Sequence, residues 1–308
     1  MSESADLFRP YVPEDFDEFW AEAQAEARST RLDYHRSLRN DFDWPGFVVE
    51  TLQFRGVQGE TVHGWITYPP GARRLPSYLW IPPYGRESIL PNRFSTREGF
   101  CTLSLNLHGE AAFHQEKYRI DRGYFADGIA EPGTWIFRRM LQNCLIAVRV
   151  LQAQIEADES KIGAMGLSQG GGMAIWTGAI SPIVRAVVAD MPFLGVMPWA
   201  LTRNAYRYPL KEVIDFLEDS PIRRQMVLNT LSYFDTMNVA TRCRVPTLVS
   251  FGTKDPACRP ETVEAIFQAL AGPKELAIYD WGHDWHVDMI ARNRDWFLQQ
   301  LSGGPAEG

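Results

Sequence analysis

The chain has 308 residues, of which 45% are hydrophobic and 22% are charged, a balance that is typical of a globular protein with a large buried core. Its formal net charge is −7, and no run of Lys or Arg forms a basic stripe, which argues against a nucleic-acid partner. Chains of this length often fold as one α/β unit, so we expect a single domain over residues 1–308.

The cysteines and the N-terminus indicate the compartment. Four cysteines are present (Cys101, Cys144, Cys243 and Cys258), without a CxxC pair or zinc-finger spacing, which favours free thiols in a reducing environment. The opening MSESADLFRP is polar and acidic, unlike a secretory signal peptide. No stretch approaches the roughly 20 apolar residues that span a bilayer. We therefore expect a cytoplasmic protein without a membrane partner.

A helix over about residues 13–28 is the first predicted element. Pro13 and the two acidic residues after it suit a helix start, and apolar residues recur at helical spacing from Phe16. Phe47–Phe54 and Val62–Tyr68 then flank a turn-prone, glycine-containing stretch, which predicts a β-hairpin.

From residue 77 onward, short apolar runs alternate with helical segments. Predicted strands are Tyr78–Ile81, Cys101–Leu105, Lys161–Met165, Ala186–Ala189, Thr247–Phe251 and Glu275–Tyr279, and predicted helices are Phe137–Ala153, Gln169–Ala179 and Glu261–Leu270. This alternation predicts an α/β fold with a mostly parallel central sheet flanked by helices. Residues 193–235 interrupt it with helical, aromatic-rich sequence, which predicts an insertion near the sheet edge where ligands bind.

The most specific motif is Gly166-Leu167-Ser168-Gln169-Gly170, between a predicted strand and a predicted helix. This is the G-x-S-x-G nucleophile elbow of α/β-hydrolases in its expected structural context. The turn raises the serine hydroxyl above the sheet, and the helix N-terminus offers backbone N–H groups to a developing oxyanion. We therefore identify Ser168 as the candidate nucleophile; the alternative is a glycine-rich turn with an idle serine.

A serine hydroxyl needs a base, and in this fold the acid and histidine follow the serine in the chain. Asp255 follows the strand Thr247–Phe251, and His283 follows the strand Glu275–Tyr279. Parallel strands place both at the same sheet edge as Ser168, so we predict a Ser168–His283–Asp255 triad. Asp255 as a simple turn residue before Pro256 is the competing interpretation.

Other polar residues compete for roles at this edge. His286 is an alternative base, although Gly282 and the nearby strand end favour His283. The run from His283 to Asp288 could suggest a metal site, but no third motif joins it, so we predict neither metal nor cofactor. His108, Glu110 and His114 are expected in loops or pocket walls, where contact with substrate is the alternative.

The second oxyanion donor of this fold comes from the loop after an early strand. Here that loop reads Pro82-Pro83-Tyr84-Gly85. Prolines lack an N–H group, so the backbone amide of Tyr84 is the predicted donor, paired with that of Gln169.

These residues resemble the acetyl xylan esterase and cephalosporin C deacetylase group, carbohydrate esterase family 7, over nearly the whole chain. The similar segments are Pro13–Trp20, Gly64-Trp65 with Pro69, the GxSQGG elbow Gly166–Gly171, Thr230–Asp235 and Lys254–Pro260. Tyr84 falls where the family has the tyrosine of its oxyanion loop. Two signatures differ: His108-Gly109-Glu110 replaces an Arg-Gly-Gln motif, and His283-Asp284 replaces a His-Glu pair.

The resemblance implies an α/β-hydrolase fold, the same Ser168, Asp255 and His283 triad, and a homo-oligomer. The expected function is a serine esterase that removes acetyl or other short acyl groups from a carbohydrate-like or other hydroxylated small molecule through an acyl-enzyme. Alternatives are a peptidase, a lactone or C–C bond hydrolase, and a non-catalytic binding protein on the same fold. Exchanging an arginine for a histidine in the first signature is not conservative, which favours an altered alcohol partner.

Overall fold

A central nine-stranded sheet organises the molecule. The computed structural model describes residues 10–85, 90–107, 123–203 and 207–302. The strands are β1 (Tyr34–Leu38), β2 (Val48–Arg55), β3 (Thr61–Tyr68), β4 (Leu75–Ile81), β5 (Cys101–Leu105), β6 (Ala157–Leu167), β7 (Ala186–Asp190), β8 (Thr247–Gly252) and β9 (Lys274–Tyr279). The helices are α1 (Phe16–Ser29), α2 (Ile136–Gln152), α3 (Gln169–Ile180), α4 (Met197–Arg203), α5 (Leu210–Leu217), α6 (Pro221–Phe234), α7 (Thr236–Ala240), α8 (Pro260–Ala269) and α9 (Asp288–Ser302).

The strand order is β1-β2-β3-β5-β4-β6-β7-β8-β9. The first three strands and the β3–β5 pair are antiparallel, and the pairs from β5 through β4 to β9 are parallel. All residues of β5, β7 and β8 are buried, as expected for strands covered on both faces. The predicted α/β-hydrolase fold is therefore confirmed.

The register of the parallel strands brings the candidate site residues to one edge. Gly166 of β6 pairs with Ile81 of β4 on one side and with Ala189 of β7 on the other. The loops that follow β4, β6, β8 and β9 consequently leave the sheet in the same direction. These four loops carry Tyr84, Ser168, Asp255 and His283.

The elements differ from their predicted bounds in physically interpretable ways. Helix α1 begins at Phe16, three residues after Pro13. Strand β6 begins at Ala157, which pairs with Leu75 of β4, and the polar residues that follow it up to Lys161 show no apolar pattern in the sequence. Strand β1 was not predicted, since its residues are exposed or half-buried on an outer strand.

Residues 193–235 contain α4, α5 and α6, which form the helical insertion that the sequence pattern predicts. Helix α6 is anchored by aromatic contacts of its last residue: Phe234 packs edge-on against Trp20 of α1 and against Trp135, with ring centroids 5.1 and 4.7 Å apart. The indole of Trp20 also donates to the Tyr233 carbonyl at 2.9 Å. Along the described parts of the chain, no helix combines the length and the apolar character needed to cross a membrane.

Candidate active site

Ser168 lies in a strained turn between β6 and α3. Its φ of 58° and ψ of −118° are unusual for a residue with a side chain, and such strain is concentrated at functional sites. Glycine is required on both sides: a Cβ on Gly166 would lie 2.3 Å from the Gly170 carbonyl carbon, and one on Gly170 would lie 2.0 Å from the Ile81 oxygen. This is the nucleophile elbow that the motif predicts.

A continuous hydrogen-bond chain joins Ser168, His283 and Asp255. His283 Nε2 lies 3.1 Å from Ser168 Oγ, and His283 Nδ1 lies 2.7 Å from Asp255 Oδ2. Asp255 is buried, whereas His283 is half-buried and lines the same cavity as Ser168. The geometry is that of a nucleophile, a base and a group that orients the base.

Backbone hydrogen bonds hold the acidic and histidine loops together. Asp255 Oδ1 accepts from the N–H groups of Ala257 at 2.7 Å and Cys258 at 2.9 Å. The loop after β8 is tied to the loop after β9, because the Lys254 N–H donates to the Trp281 carbonyl at 2.9 Å. The carboxylate is thus fixed locally, and its second oxygen is directed to His283.

The alternative base, His286, lies elsewhere. Its ring stacks on Tyr279 with centroids 4.9 Å apart, and its Nδ1 accepts from the Asp288 N–H at 3.3 Å. The structure therefore brings His283, and not His286, to Ser168. Within the described residues, the group suited to a metal ion is Asp255, Cys258 and His283, whose ligand atoms lie within 4.8 Å of one another. That group overlaps the hydrogen-bond chain itself.

Cys258 is a site neighbour that the sequence analysis missed. Its buried Sγ lies 3.8 Å from Ser168 Oγ. Burial, together with the nearby Asp255 carboxylate, raises the pKa of this thiol well above its usual value. The protonated thiol therefore neighbours the serine as a weak polar group, and it does not compete as a nucleophile.

The two predicted oxyanion donors come from the elbow itself and from the loop after β4. Gln169 is the first residue of α3, where backbone N–H groups lack intrahelical acceptors, and its side chain is fully buried. Tyr84 lies in the loop after β4 and lines the cavity that contains Ser168. The Tyr84 hydroxyl donates to Glu212 of α5, a contact that no local sequence motif indicates.

A small cavity opens next to Ser168 and has a volume of about 150 Å³. Its walls are mostly apolar or aromatic and combine the elbow, the oxyanion loop, the inserted segment and the histidine loop: Pro83, Tyr84, Leu167, Ser168, Phe193, Arg207, Tyr208, Pro209, Leu210, Ala257, His283 and Asp284. This volume lies below the range of roughly 300–1,000 Å³ that suits drug-sized ligands. His108, Gly109, Glu110 and His114 lie outside the described residues.

The chain is similar to known proteins over most of its length. The family model for acetyl xylan esterases matches residues 7–301. The acetyl esterase Axe7A of Xylanibacter ruminicola is 26% identical over 295 residues, which cover 92% of this chain and 66% of that protein. The chain thus spans about two thirds of the length of this relative.

Two solved structures are similar over nearly their whole length. The acetyl xylan esterase from Paenibacillus sp. R4 has a TM-score of 0.86 and 26% identity, with 98% of this chain and 100% of that chain covered. Acetyl xylan esterase 1 from Thermoanaerobacterium sp. JW/SL YS485 has a TM-score of 0.85 and 24% identity, with 97% of this chain and 99% of that chain covered. This second similarity shows the shared fold. The chain therefore belongs to the acetyl xylan esterase family of α/β-hydrolase-type serine hydrolases.

Proposed function

We propose that this protein is a serine esterase that removes acetyl or other short acyl groups from a carbohydrate-like or other hydroxylated small molecule. One observation carries the proposal: the hydrogen-bond chain from Asp255 through His283 ends at Ser168, which lines a cavity of about 150 Å³. The chain activates the serine, and the cavity limits the size of the acyl group.

Acylation begins when Ser168 Oγ attacks the ester carbonyl carbon. His283 Nε2 accepts the hydroxyl proton as the new C–O bond forms, and negative charge moves to the carbonyl oxygen. The backbone N–H groups of Tyr84 and Gln169 stabilise that oxyanion, and such a donor typically contributes about 10²–10³ in kcat. The bond to the leaving alcohol then breaks, and His283 returns the proton to the alcohol oxygen.

Deacylation repeats these steps with water as the nucleophile. His283 takes a proton from water as the water oxygen bonds to the acyl carbon. The tetrahedral intermediate releases the carboxylic acid, and Ser168 regains its proton from His283. Asp255 keeps the proton of neutral His283 on Nδ1, so that Nε2 remains free to accept, and it stabilises the imidazolium.

The names of the relatives support an acetyl ester as the substrate. Axe7A is called an acetyl esterase, and the Paenibacillus protein is called an acetyl xylan esterase. We accordingly propose a sugar hydroxyl as the leaving group. The replacement at residues 108–110 is our reason to propose an alcohol other than that of acetylated xylan.

Assembly and location complete the proposal. We propose a homo-oligomer, on the family resemblance, and a cytoplasmic location. The four cysteines are free and buried, in keeping with a reducing compartment. Size-exclusion chromatography with light scattering measures the assembly.

A substrate panel tests the proposed activity. We expect kcat/KM to be highest for p-nitrophenyl acetate, lower for an acetylated xylo-oligosaccharide and for p-nitrophenyl butyrate, and negligible for a peptide anilide. Ser168→Ala should remove ester hydrolysis while leaving the fold intact, because only the nucleophile is lost. More than trace ester hydrolysis by the purified variant, or a preference for the peptide, contradicts the proposal.

A further inference from the structure

A buried carboxylate of the inserted segment contacts the loop that carries Tyr84. Glu212 of α5 is 8% exposed. One of its oxygens accepts a hydrogen bond from the Tyr84 hydroxyl, and the other accepts from the Phe125 N–H at 2.7 Å. Burial raises the pKa of this carboxyl. Glu212 thus joins two separate loops through one side chain.

The same contacts continue to the second oxyanion donor. The rings of Tyr84 and Tyr124 lie 5.1 Å apart, and the Tyr124 hydroxyl donates to Gln169 Oε1 at 3.0 Å. The side chains of both proposed donor residues, Tyr84 and Gln169, therefore belong to one connected group of four residues. We call Tyr84, Tyr124, Gln169 and Glu212 the oxyanion-support network.

The backbone is packed closely around the carboxylate. A Cβ on Gly123 would lie 2.0 Å from the Glu212 carboxyl carbon, so the residue-123 backbone approaches the carboxylate directly. Without the Glu212 oxygens, the Tyr84 hydroxyl and the Phe125 N–H would each lose an acceptor in a partly buried or buried place. Buried donors without acceptors are unfavourable, so the loops would rearrange.

We propose that Glu212 is a positioning residue that holds the Tyr84 loop, and through Tyr124 the start of α3, so that both backbone N–H groups meet the developing oxyanion. The inference rests on the proposed function. Its physical basis is that oxyanion donors act only when they are held in place beforehand, and that a displacement of about 1 Å can cost about 10²-fold in rate. Glu212 itself touches no reacting atom.

A double-mutant cycle tests this role. Steady-state kinetics with p-nitrophenyl acetate are compared for the wild type, Glu212→Ala, Tyr84→Phe and the double variant. We expect Glu212→Ala to lower kcat at least about tenfold, a fraction of what one lost donor costs. KM should change little, since the donors act mainly in the transition state. The double variant should lose no more than Glu212→Ala alone, because both changes remove the same contact.

Two further variants separate positioning from stability. Glu212→Gln keeps an acceptor oxygen and nearly the same volume, so it should recover part of the lost kcat. Asp235→Asn is the matched control: Asp235 is another fully buried carboxylate that accepts backbone N–H bonds, but its bonds run to Val196, Met197 and Met237. It should lower the melting temperature without a comparable loss of kcat.

A transition-state analogue supplies the readout that a purely structural role would not move. A trifluoromethyl ketone forms a tetrahedral adduct with the nucleophile and places an oxyanion at the donors. Its inhibition constant should rise in Glu212→Ala by about the same factor as kcat/KM falls. Unchanged kcat and unchanged inhibition by the ketone in folded Glu212→Ala overturn the proposal, as does an equal loss of kcat in Asp235→Asn.

Labelling with a fluorophosphonate distinguishes failure of this inference from failure of the proposed function. If the wild type is phosphonylated at Ser168 and Glu212→Ala keeps full kcat, the esterase mechanism stands and the positioning role is wrong. If the wild type is not phosphonylated at Ser168, the proposed function itself is wrong, and the positioning role falls with it.

Discussion

The two halves of the candidate active site are held together in different ways. On the acid–base side, Ser168, Asp255 and His283 follow parallel strands, and the loops of Asp255 and His283 are joined by a backbone hydrogen bond from the Lys254 N–H to the Trp281 carbonyl. On the oxyanion side, side chains make the connections between segments far apart in the chain. The Tyr84–Glu212 contact spans 128 residues.

This difference shows where chemistry and substrate choice can separate. The acid–base side depends on the sheet, so its geometry is set by strand register and glycine-rich turns. The oxyanion side depends on the inserted segment, which also provides cavity walls at Tyr208 and Leu210. A change in the inserted segment can therefore alter acyl-group fit and oxyanion stabilisation together, while the triad stays in place.

A substitution on the acid–base side should cause the strongest loss of activity. Asp255→Asn should lower kcat by about 10⁴, because the amide would favour the histidine tautomer with its proton on the wrong nitrogen. Steady-state kinetics with p-nitrophenyl acetate measure this loss. Thr253, on the same loop as Asp255, provides the control. Thr253→Ala removes an exposed hydroxyl that is hydrogen-bonded to Asp280, and it should change kcat little. A mild effect of Asp255→Asn would point to another carboxylate.

Asp235, at the C-terminal end of the inserted segment, should make the stability of the protein depend on pH. Burial raises the pKa of Asp235 to about 6, from 3.8 in an unfolded chain. Its contribution to stability is therefore fully present below about pH 3.8 and is lost as the pH rises through about 6. The difference between these two pKa values corresponds to about 3 kcal/mol of folding free energy.

Urea unfolding of the wild type and Asp235→Asn from pH 4 to pH 7 measures that contribution. Asparagine does not titrate, so the stability lost on substitution should be largest near pH 4 and shrink toward pH 7. A loss that grows as the pH rises would contradict the raised pKa.

Gly170 should show the smallest of these effects and link the two halves. A Cβ there would press on the Ile81 and Pro82 carbonyls, which precede the Tyr84 loop. Gly170→Ala should lower the free energy of unfolding by about 1–3 kcal/mol, the usual cost of overpacking, and should also reduce kcat. Gly133→Ala is the matched control, because among the described residues, its chain neighbours aside, no heavy atom lies within 4 Å of its Cβ position. Equal stability of the two variants would show that the elbow tolerates a side chain.

The acid–base side was predictable from sequence because its signals are local. The elbow motif lies between a strand and a helix, and Asp255 and His283 each follow an apolar strand by a few residues. The parallel fold then brings the three together without further information. Even the choice of His283 over His286 follows from its position just after the strand end.

The oxyanion-support network could not be predicted in the same way. Glu212 lies on a short helix where an acidic residue would ordinarily face solvent, and nothing near it in sequence indicates that Tyr84 and Phe125 are its partners. Cys258 was missed for a similar reason, since a lone cysteine has no motif. Such contacts depend on how the inserted helices pack against the sheet, which residue patterns along the chain do not specify.

Covalent labelling is the sharpest test of whether Ser168 is the nucleophile that His283 activates. The wild type is treated with a fluorophosphonate, residual esterase activity is followed, and the modified peptide is identified by mass spectrometry. We predict that activity is lost in proportion to one phosphonyl group per chain on Ser168, and that Ser168→Ala is not labelled. Loss of activity with the label on another residue, or full activity with Ser168 completely labelled, would contradict this account.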